Sequence, residues 1–193
     1  MRKIIISELV TLDGVVEALG GEPGFKYTGW SADYVDQDYI QHNLSALDEV
    51  GALLLGRITY ESFEGAFAEL DPNNPFAMKM YELDKYVVSG TLQQVRWHKA
   101  SIIDSNIVAS IQQLKSQPGL PILVNGSRTL VQLLFQHDLV DELRLLVHPT
   151  ILGTGKTLIS EIGDRKKLVL KNVNPFASGI VALRYDVIHN DTL

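Results

Sequence analysis

Three short apolar runs end in turns whose residues could hold a phosphorylated ligand. They are Leu55-Gly56-Arg57-Ile58-Thr59-Tyr60-Glu61-Ser62, Val88-Ser89-Gly90-Thr91-Leu92 and Val124-Asn125-Gly126-Ser127-Arg128-Thr129-Leu130. The first and third each run into a helical pattern. Free N–H groups at a helix start attract phosphate oxygens, and glycine lets a phosphate approach the backbone closely. Arg57 adds a planar, fork-shaped cation suited to a phosphate monoester. A ligand with a pyrophosphate and a further phosphate, such as NADPH, would use all three turns. Small polar residues also suit ordinary strand-to-helix turns, so on composition alone both readings stand.

Other chemistries lack their residues. Gly153-Thr154-Gly155-Lys156-Thr157 looks like the end of a phosphate-binding P-loop, but the glycine required five positions before Gly155 is Thr150. Strand patterns on both sides of it predict a glycine-rich turn instead. There is no Gly-x-Gly-x-x-Gly and no Gly-x-Ser-x-Gly nucleophile elbow. The five histidines form no i, i+3 or i, i+4 pair, and the chain has no cysteine, so no metal site is expected.

These turns must be held by a sheet. Ile4–Val10, Ala52–Leu55, Tyr86–Ser89, Ser101–Ile103 and Ile122–Val124 read as strands, rich in β-branched and apolar residues. Helical spacing covers Ala32–Val50, a short segment capped by Thr59, and Asn74–Leu83. It continues in a segment capped by Asp104 or Ser105 that carries Ile107, Val108, Ile111 and Leu114, and in Ser127–Phe135. Leu19–Gly24 reads as a loop by its glycines and proline. The last third turns to strands: Glu142–His148, Leu168–Val173 and Ile180–Ile188. Alternating strands and helices predict an α/β fold, a mostly parallel sheet of about eight strands with helices on both faces and an antiparallel C-terminal edge. In a parallel sheet the three turns fall on one edge, where crevice ligands bind.

The chain has 193 residues, 46% of them apolar, and no linker-like stretch, so one domain spanning 1–193 is expected. It can bury roughly 70% of its unfolded surface without disulfide or metal staples. A net charge of −6 argues against a nucleic-acid partner. Glu8 cuts the first apolar run short, and no run approaches a membrane span; a cytoplasmic protein without membrane association is the expectation.

Gly56-Arg57-Ile58-Thr59-Tyr60-Glu61-Ser62 resembles the Gly-Arg-x-Thr-aromatic-Glu-Ser signature of dihydrofolate reductases, and the opening strand followed by Asp13-Gly14 fits as well. A closer resemblance is to stand-alone relatives of the reductase domain found at the C-terminus of bifunctional bacterial riboflavin-biosynthesis enzymes. It rests on Thr11-Leu12-Asp13-Gly14, Val124-Asn125-Gly126-Ser127 with Thr129-Leu130, Leu139-Val140-Asp141-Glu142-Leu143 and Pro149-Thr150-Ile151-Leu152-Gly153-Thr154-Gly155-Lys156. These motifs follow in order over roughly the whole chain.

The resemblance implies a dihydrofolate-reductase-like fold, NADPH as hydride donor and a homodimer. By position it implies that Gly56, Arg57 and Thr59 hold the adenosine phosphate and pyrophosphate, and that Ser89, Gly90, Thr91 and Leu92 line the adenine-ribose side. Gly126, Ser127, Thr129 and Leu130 would cradle the pyrophosphate from the third turn. The corresponding turn of dihydrofolate reductases carries two adjacent glycines, where this chain has Asn125-Gly126. On the substrate side it points to Asp13, to Trp30, and to a carboxylate on the first helix as proton source. Asp33, Asp36 and Asp38 are the candidates there, with Asp36 preferred. Phe25, Tyr27 and Trp30 could form an aromatic platform, and Lys26 and Lys156 are the only basic candidates for a ribose phosphate.

The implied activity is an NADPH-dependent reductase acting on a small heterocycle, first a phosphoribosylamino-pyrimidine as in riboflavin biosynthesis. A pterin or folate reductase and a non-catalytic NADPH-binding protein are the alternatives.

Overall fold

The computed structural model describes residues 1–18, 23–69, 71–160 and 162–189. Residues 19–22 of the expected Leu19–Gly24 loop thus lie outside the described residues. Its strands are β1 (Ile4–Thr11), β2 (Ala52–Gly56), β3 (Asp84–Val88), β4 (Ala100–Ile103), β5 (Ile122–Val124), β6 (Glu142–His148), β7 (Lys167–Pro175) and β8 (Val181–Ile188). Its helices are α1 (Gln37–Asp48), α2 (Arg57–Phe67), α3 (Pro75–Glu82), α4 (Ile107–Ser116) and α5 (Arg128–Gln136).

All eight strands join one sheet in the order β4-β3-β2-β5-β1-β6-β8-β7. From β4 to β6 every pairing is parallel, while β8 runs antiparallel to β6 and β7 antiparallel to β8. The expected parallel sheet with an antiparallel C-terminal edge is therefore present.

The strand period of two divides the core between the faces. Ile4, Ile6, Ala52, Leu54, Ile122 and Val124 pack with Ile111 of α4 and Leu130, Val131 and Leu134 of α5. The alternate residues Ile5, Leu53, Leu55 and Leu123 pack with Leu47 of α1, Tyr60 of α2 and Met80 of α3. Continuous apolar runs such as Ala52-Leu53-Leu54-Leu55 are what a strand buried on both faces requires. Several strand residues depart from this, Glu8, Glu142 and His148 among them; Lys85 in β3 is fully buried, its ammonium bonded to the Tyr81 and His98 carbonyls at 2.6 and 3.1 Å and lying over the Trp97 ring.

Helix starts depart from the sequence expectation where a polar side chain intervenes. The predicted helix over Ala32–Val50 begins as a 3-10 turn, Ala32–Tyr34, and restarts at Gln37. Asp36 is extended there, and its carboxylate accepts the Tyr39 amide at 2.8 Å, capping α1. The cap of α2 is Gly56, not Thr59, because extended backbone at Gly56 lets the helix start at Arg57. The cap of α4 is Asn106 in the left-handed region, since Ser105 spends its hydroxyl on the Asp104 carboxylate. Among the described residues, no helix is long and apolar enough to cross a membrane.

Candidate functional site

The carboxyl ends of β2, β3 and β5 lie side by side on one sheet edge, Gly56 being in register with Val88. The β2 and β5 turns touch: the Gly56 amide donates to the Gly126 carbonyl at 3.3 Å. A Cβ at Gly56 would sit 2.3 Å from Ser127 Oγ and 2.9 Å from Ser127 Cβ. Gly126 has φ +75°, and a Cβ there would lie 3.0 Å from Thr59 Oγ1. The peptide that departs from trans in this turn is Gly126–Ser127, one step beyond the Asn125-Gly126 pair singled out in the sequence.

Each turn opens a helix of more than two turns, and neither Gly56 nor Ser127 gives a side-chain bond to the first-turn amides. Two sets of uncapped helix N–H groups thus converge on one point, a cradle for a phosphate pair. Gly56, Thr59, Gly126 and Ser127 meet there, while Thr129 lies exposed in the first turn of α5. Leu130 is buried in the core and can offer only its backbone. Arg57 stands at the outer edge, half exposed, its Nη1 bonded to both Glu61 carboxylate oxygens at 3.0 and 2.8 Å.

The β3 turn is built differently. Ser89 is buried, and its hydroxyl oxygen accepts the Thr91 and Leu92 amides at 3.2 and 2.9 Å. Ser89, Gly90, Thr91 and Leu92 therefore form a self-closed wall beside the cradle, not a third set of free donors.

Below the cradle lies a cleft of about 560 Å³ between the sheet edge and α1, α2 and α3. Tyr39, Leu44, Leu47, Phe63, Phe67 and Phe76 are among its lining residues. Glu8 of β1 also lines it, beside Asn125, which donates to the Ser7 carbonyl at 2.9 Å. Glu8 is buried, and its Oε1 lacks any hydrogen-bond partner, 3.8 Å from where a Gly126 Cβ would be. Burial pushes the Glu8 carboxyl up to about 8, against a smaller downward pull from the Gly126 amide. It holds a proton at neutral pH inside a largely apolar cleft, the environment of a general acid.

The sequence expectation for a proton source fell on Asp36, which the structure uses otherwise. One Asp36 oxygen caps α1 and the other accepts the Ser178 amide at 2.8 Å. Those amides, Tyr39's foremost, hold the Asp36 carboxyl below its ordinary value, so it carries no proton to give at neutral pH. Asp38 accepts the Ala177 amide at 3.0 Å.

Asp13 clasps loops together. It accepts the Thr11 hydroxyl at 2.6 Å and the Leu152 and Gly153 amides at 3.3 and 2.8 Å. The Thr11 hydroxyl is the main reason its carboxyl lies low. This contact joins the Thr11–Gly14 motif to the Leu152–Gly153 motif, and among the described residues no helix follows Gly155-Lys156, as a P-loop would need. Trp30 is buried, with its indole N–H on the Glu17 carbonyl at 2.9 Å and its ring edge-on to His148. Phe25 and Tyr27 pack on one another, 6.0 Å between centroids. The cleft's aromatic walls come instead from Tyr39, Phe63, Phe67 and Phe76. Among the described residues, no cluster of three or more His, Asp or Glu could hold a metal ion.

Comparison with known proteins places this arrangement. Residues 2–182 match the family described as the RibD C-terminal domain. The chain is 30% identical over 188 residues to the uncharacterized protein YyaP of Bacillus subtilis (strain 168), covering 95% of this chain and 94% of that one. A pyrimidine reductase-like protein from Corynebacterium diphtheriae superposes with a TM-score of 0.71 at 13% identity, over 98% of this chain and 93% of that chain. Schistosoma mansoni dihydrofolate reductase gives 0.62 at 14% identity, over 97% and 100%. The last two similarities establish the dihydrofolate-reductase-like fold.

Proposed function

The chain belongs to the RibD C-terminal domain family, and from that premise we propose that it is an NADPH-dependent reductase of a small heterocyclic compound. The observation that carries the reading is the contact between Gly56 and Ser127, which brings two uncapped helix starts together directly above an apolar cleft. The residues present fit the cofactor: the absence of a side chain at both glycines lets the two turns approach, and neither helix start that they open is capped by a side chain.

When bound, NADPH supplies the hydride. The chain's own residues do the rest. First-turn amides of α2 and α5 would hold the pyrophosphate, and Arg57, paired with Glu61 on the surface, would turn to the 2′-phosphate. The Ser89–Leu92 wall lines the adenine-ribose side. The cleft walls exclude water and align the reactants. Glu8 would hold the proton that the heteroatom of the substrate's C=N or C=O bond takes up on reduction. The carboxylate left behind is reprotonated from water.

Calorimetric titration of NADPH and NADH tests the cofactor assignment. The native chain is expected to bind NADPH more tightly, and Arg57→Ala to weaken NADPH about tenfold to a hundredfold towards the NADH level, the range of one charge-assisted contact. Equal affinity of the native chain for both cofactors would overturn the Arg57 assignment, and binding of neither would overturn the reductase reading.

We propose further that the chain pairs with a second copy through β7. Every residue of that edge strand is exposed, including Leu168, Val169, Leu170 and Val173, and an open strand edge meets its own copy about a two-fold axis. Light scattering should give twice the 21.4 kDa chain mass; a single chain mass at micromolar concentration would refute the pairing.

A further inference from the structure

The cleft is short of charge in a way that narrows its substrate. Among its lining residues only Glu8 and Arg128 carry a carboxyl or a cationic group. Arg128 opens α5 at the cradle end, and it is engaged: Nε donates to the Thr157 carbonyl at 2.7 Å and Nη2 to the Ser160 hydroxyl at 2.8 Å. None of Lys26, Lys79 and Lys156 lines the cleft. Lys79 pairs with Asp48 and Lys156 with Glu17, while Lys26 lies over the Tyr27 ring.

The helix start at the end of the cleft away from the cradle offers an anion no N–H in place of a cation. Asn74, Pro75 and Phe76 at the start of α3 line that end, which could present helix N–H groups. Pro75 has none, and the Phe76 and Ala77 amides are both taken by Asn74 Oδ1 at 3.1 Å. The start of α1 is occupied by the Asp36 carboxylate. A phosphate or carboxylate held at that end would meet neither a cation nor a free helix N–H.

We propose that the cleft takes an uncharged, flat heterocycle, lacking phosphate and carboxylate, whose polar edge meets Glu8 and Asn125 and whose remaining surface lies against Tyr39, Leu44, Phe63 and Phe76. This rests on the reductase reading for the place of the cofactor. It sets the chain apart from an enzyme for a phosphoribosylated pyrimidine or for folate, both of which bring an anion into the cleft.

Two matched pairs of probes test it by calorimetry on the NADP⁺-saturated chain. One is 5-amino-6-ribosylaminouracil with its 5′-phosphate, the other an uncharged 7,8-dihydropterin with 7,8-dihydrofolate. In at least one pair the uncharged member is expected to bind at least about tenfold tighter than the charged one, a difference of about 1.4 kcal/mol. Equal or tighter binding of the charged member in both pairs, or no binding of any of the four, would overturn the proposal. If NADP⁺ itself fails to bind, the reductase reading falls, and the same pairs titrated on the free chain still decide the charge preference. As a second handle, Phe76→Arg should raise affinity for the charged members while leaving NADPH affinity within twofold. A variant that folds, keeps NADPH and gains nothing for the anions would also count against the proposal.

Discussion

Gly56→Ala should weaken NADPH binding by about a hundredfold or more while the chain still folds. The added methyl would meet Ser127 Oγ at 2.3 Å, Ser127 Cβ at 2.9 Å and Ser127 N at 3.1 Å. The hydroxyl can rotate away, but the Cβ and the backbone nitrogen cannot, so the β5 turn must move off the β2 turn. A move of this kind typically destabilises by about 1–3 kcal/mol. It also separates the two helix starts that would grip the phosphates. Ser127→Gly in the same chain removes the Oγ and Cβ from the clash and should recover part of the loss, a coupling that a double-mutant cycle reads directly. Fluorescence titration of NADPH and thermal melts of the four proteins separate affinity from stability. An unchanged dissociation constant in Gly56→Ala would show that the cofactor does not use this contact.

The second large effect belongs to Glu8. Glu8→Gln keeps the shape and removes the titrating group, so turnover of an accepted substrate should fall about a hundredfold or more, the usual scale for losing a general acid. NADPH affinity should stay within about threefold. Turnover by the native chain should fall as pH rises through about 8, where the carboxyl gives up its proton.

A substrate-free consequence follows from linkage. In the unfolded chain this carboxyl ionises near 4.5, whereas the folded chain keeps it protonated to about 8. Between those values the folded state binds the extra proton, so stability falls as pH rises through that window and levels off above it. The variant lacks this loss. Melting curves of native and Glu8→Gln at pH 5 and pH 8 should diverge at the higher pH in favour of the variant, by on the order of a few kcal/mol. A constant difference at the two pH values would mean that Glu8 is not buried as a neutral acid.

The three turns were legible as turns because glycine and short polar residues follow apolar runs there, but that composition suits ordinary strand-to-helix turns equally, and the meeting of Gly56 with Gly126, seventy residues apart, was not written in either segment. The sheet was legible because doubly buried strands leave uninterrupted apolar runs. Glu8 was harder to see. It read as the charge that ends an apolar run, although its spacing held the signal: Ile4, Ile6 and Glu8 share one face of a strand, and the two isoleucines are wholly buried. A carboxyl in step with buried residues is itself buried.

Asp36, Asp13 and Trp30 went the other way. Each sits where the family pattern expects contact with substrate, yet each is consumed by backbone groups within hydrogen-bond reach. Such capture depends on loops brought from more than a hundred residues away, Ser178 for Asp36 and Gly153 for Asp13. Residue type and spacing do not report it.

The position of β1 between β5 and β6 has a kinetic consequence. The first strand of the chain pairs with residues 122–124 and 142–148, so it has no sheet neighbour until most of the polypeptide has been synthesised. Its closest ladders span the longest loops, which are the slowest to close. Glu8 reaches the β5 turn only when that insertion occurs. Refolding should therefore deliver the β2–β3–β4 side of the sheet early and the acid-bearing cleft last, and a chain stalled before that step would expose the Ile4-Ile5-Ile6 segment to aggregation.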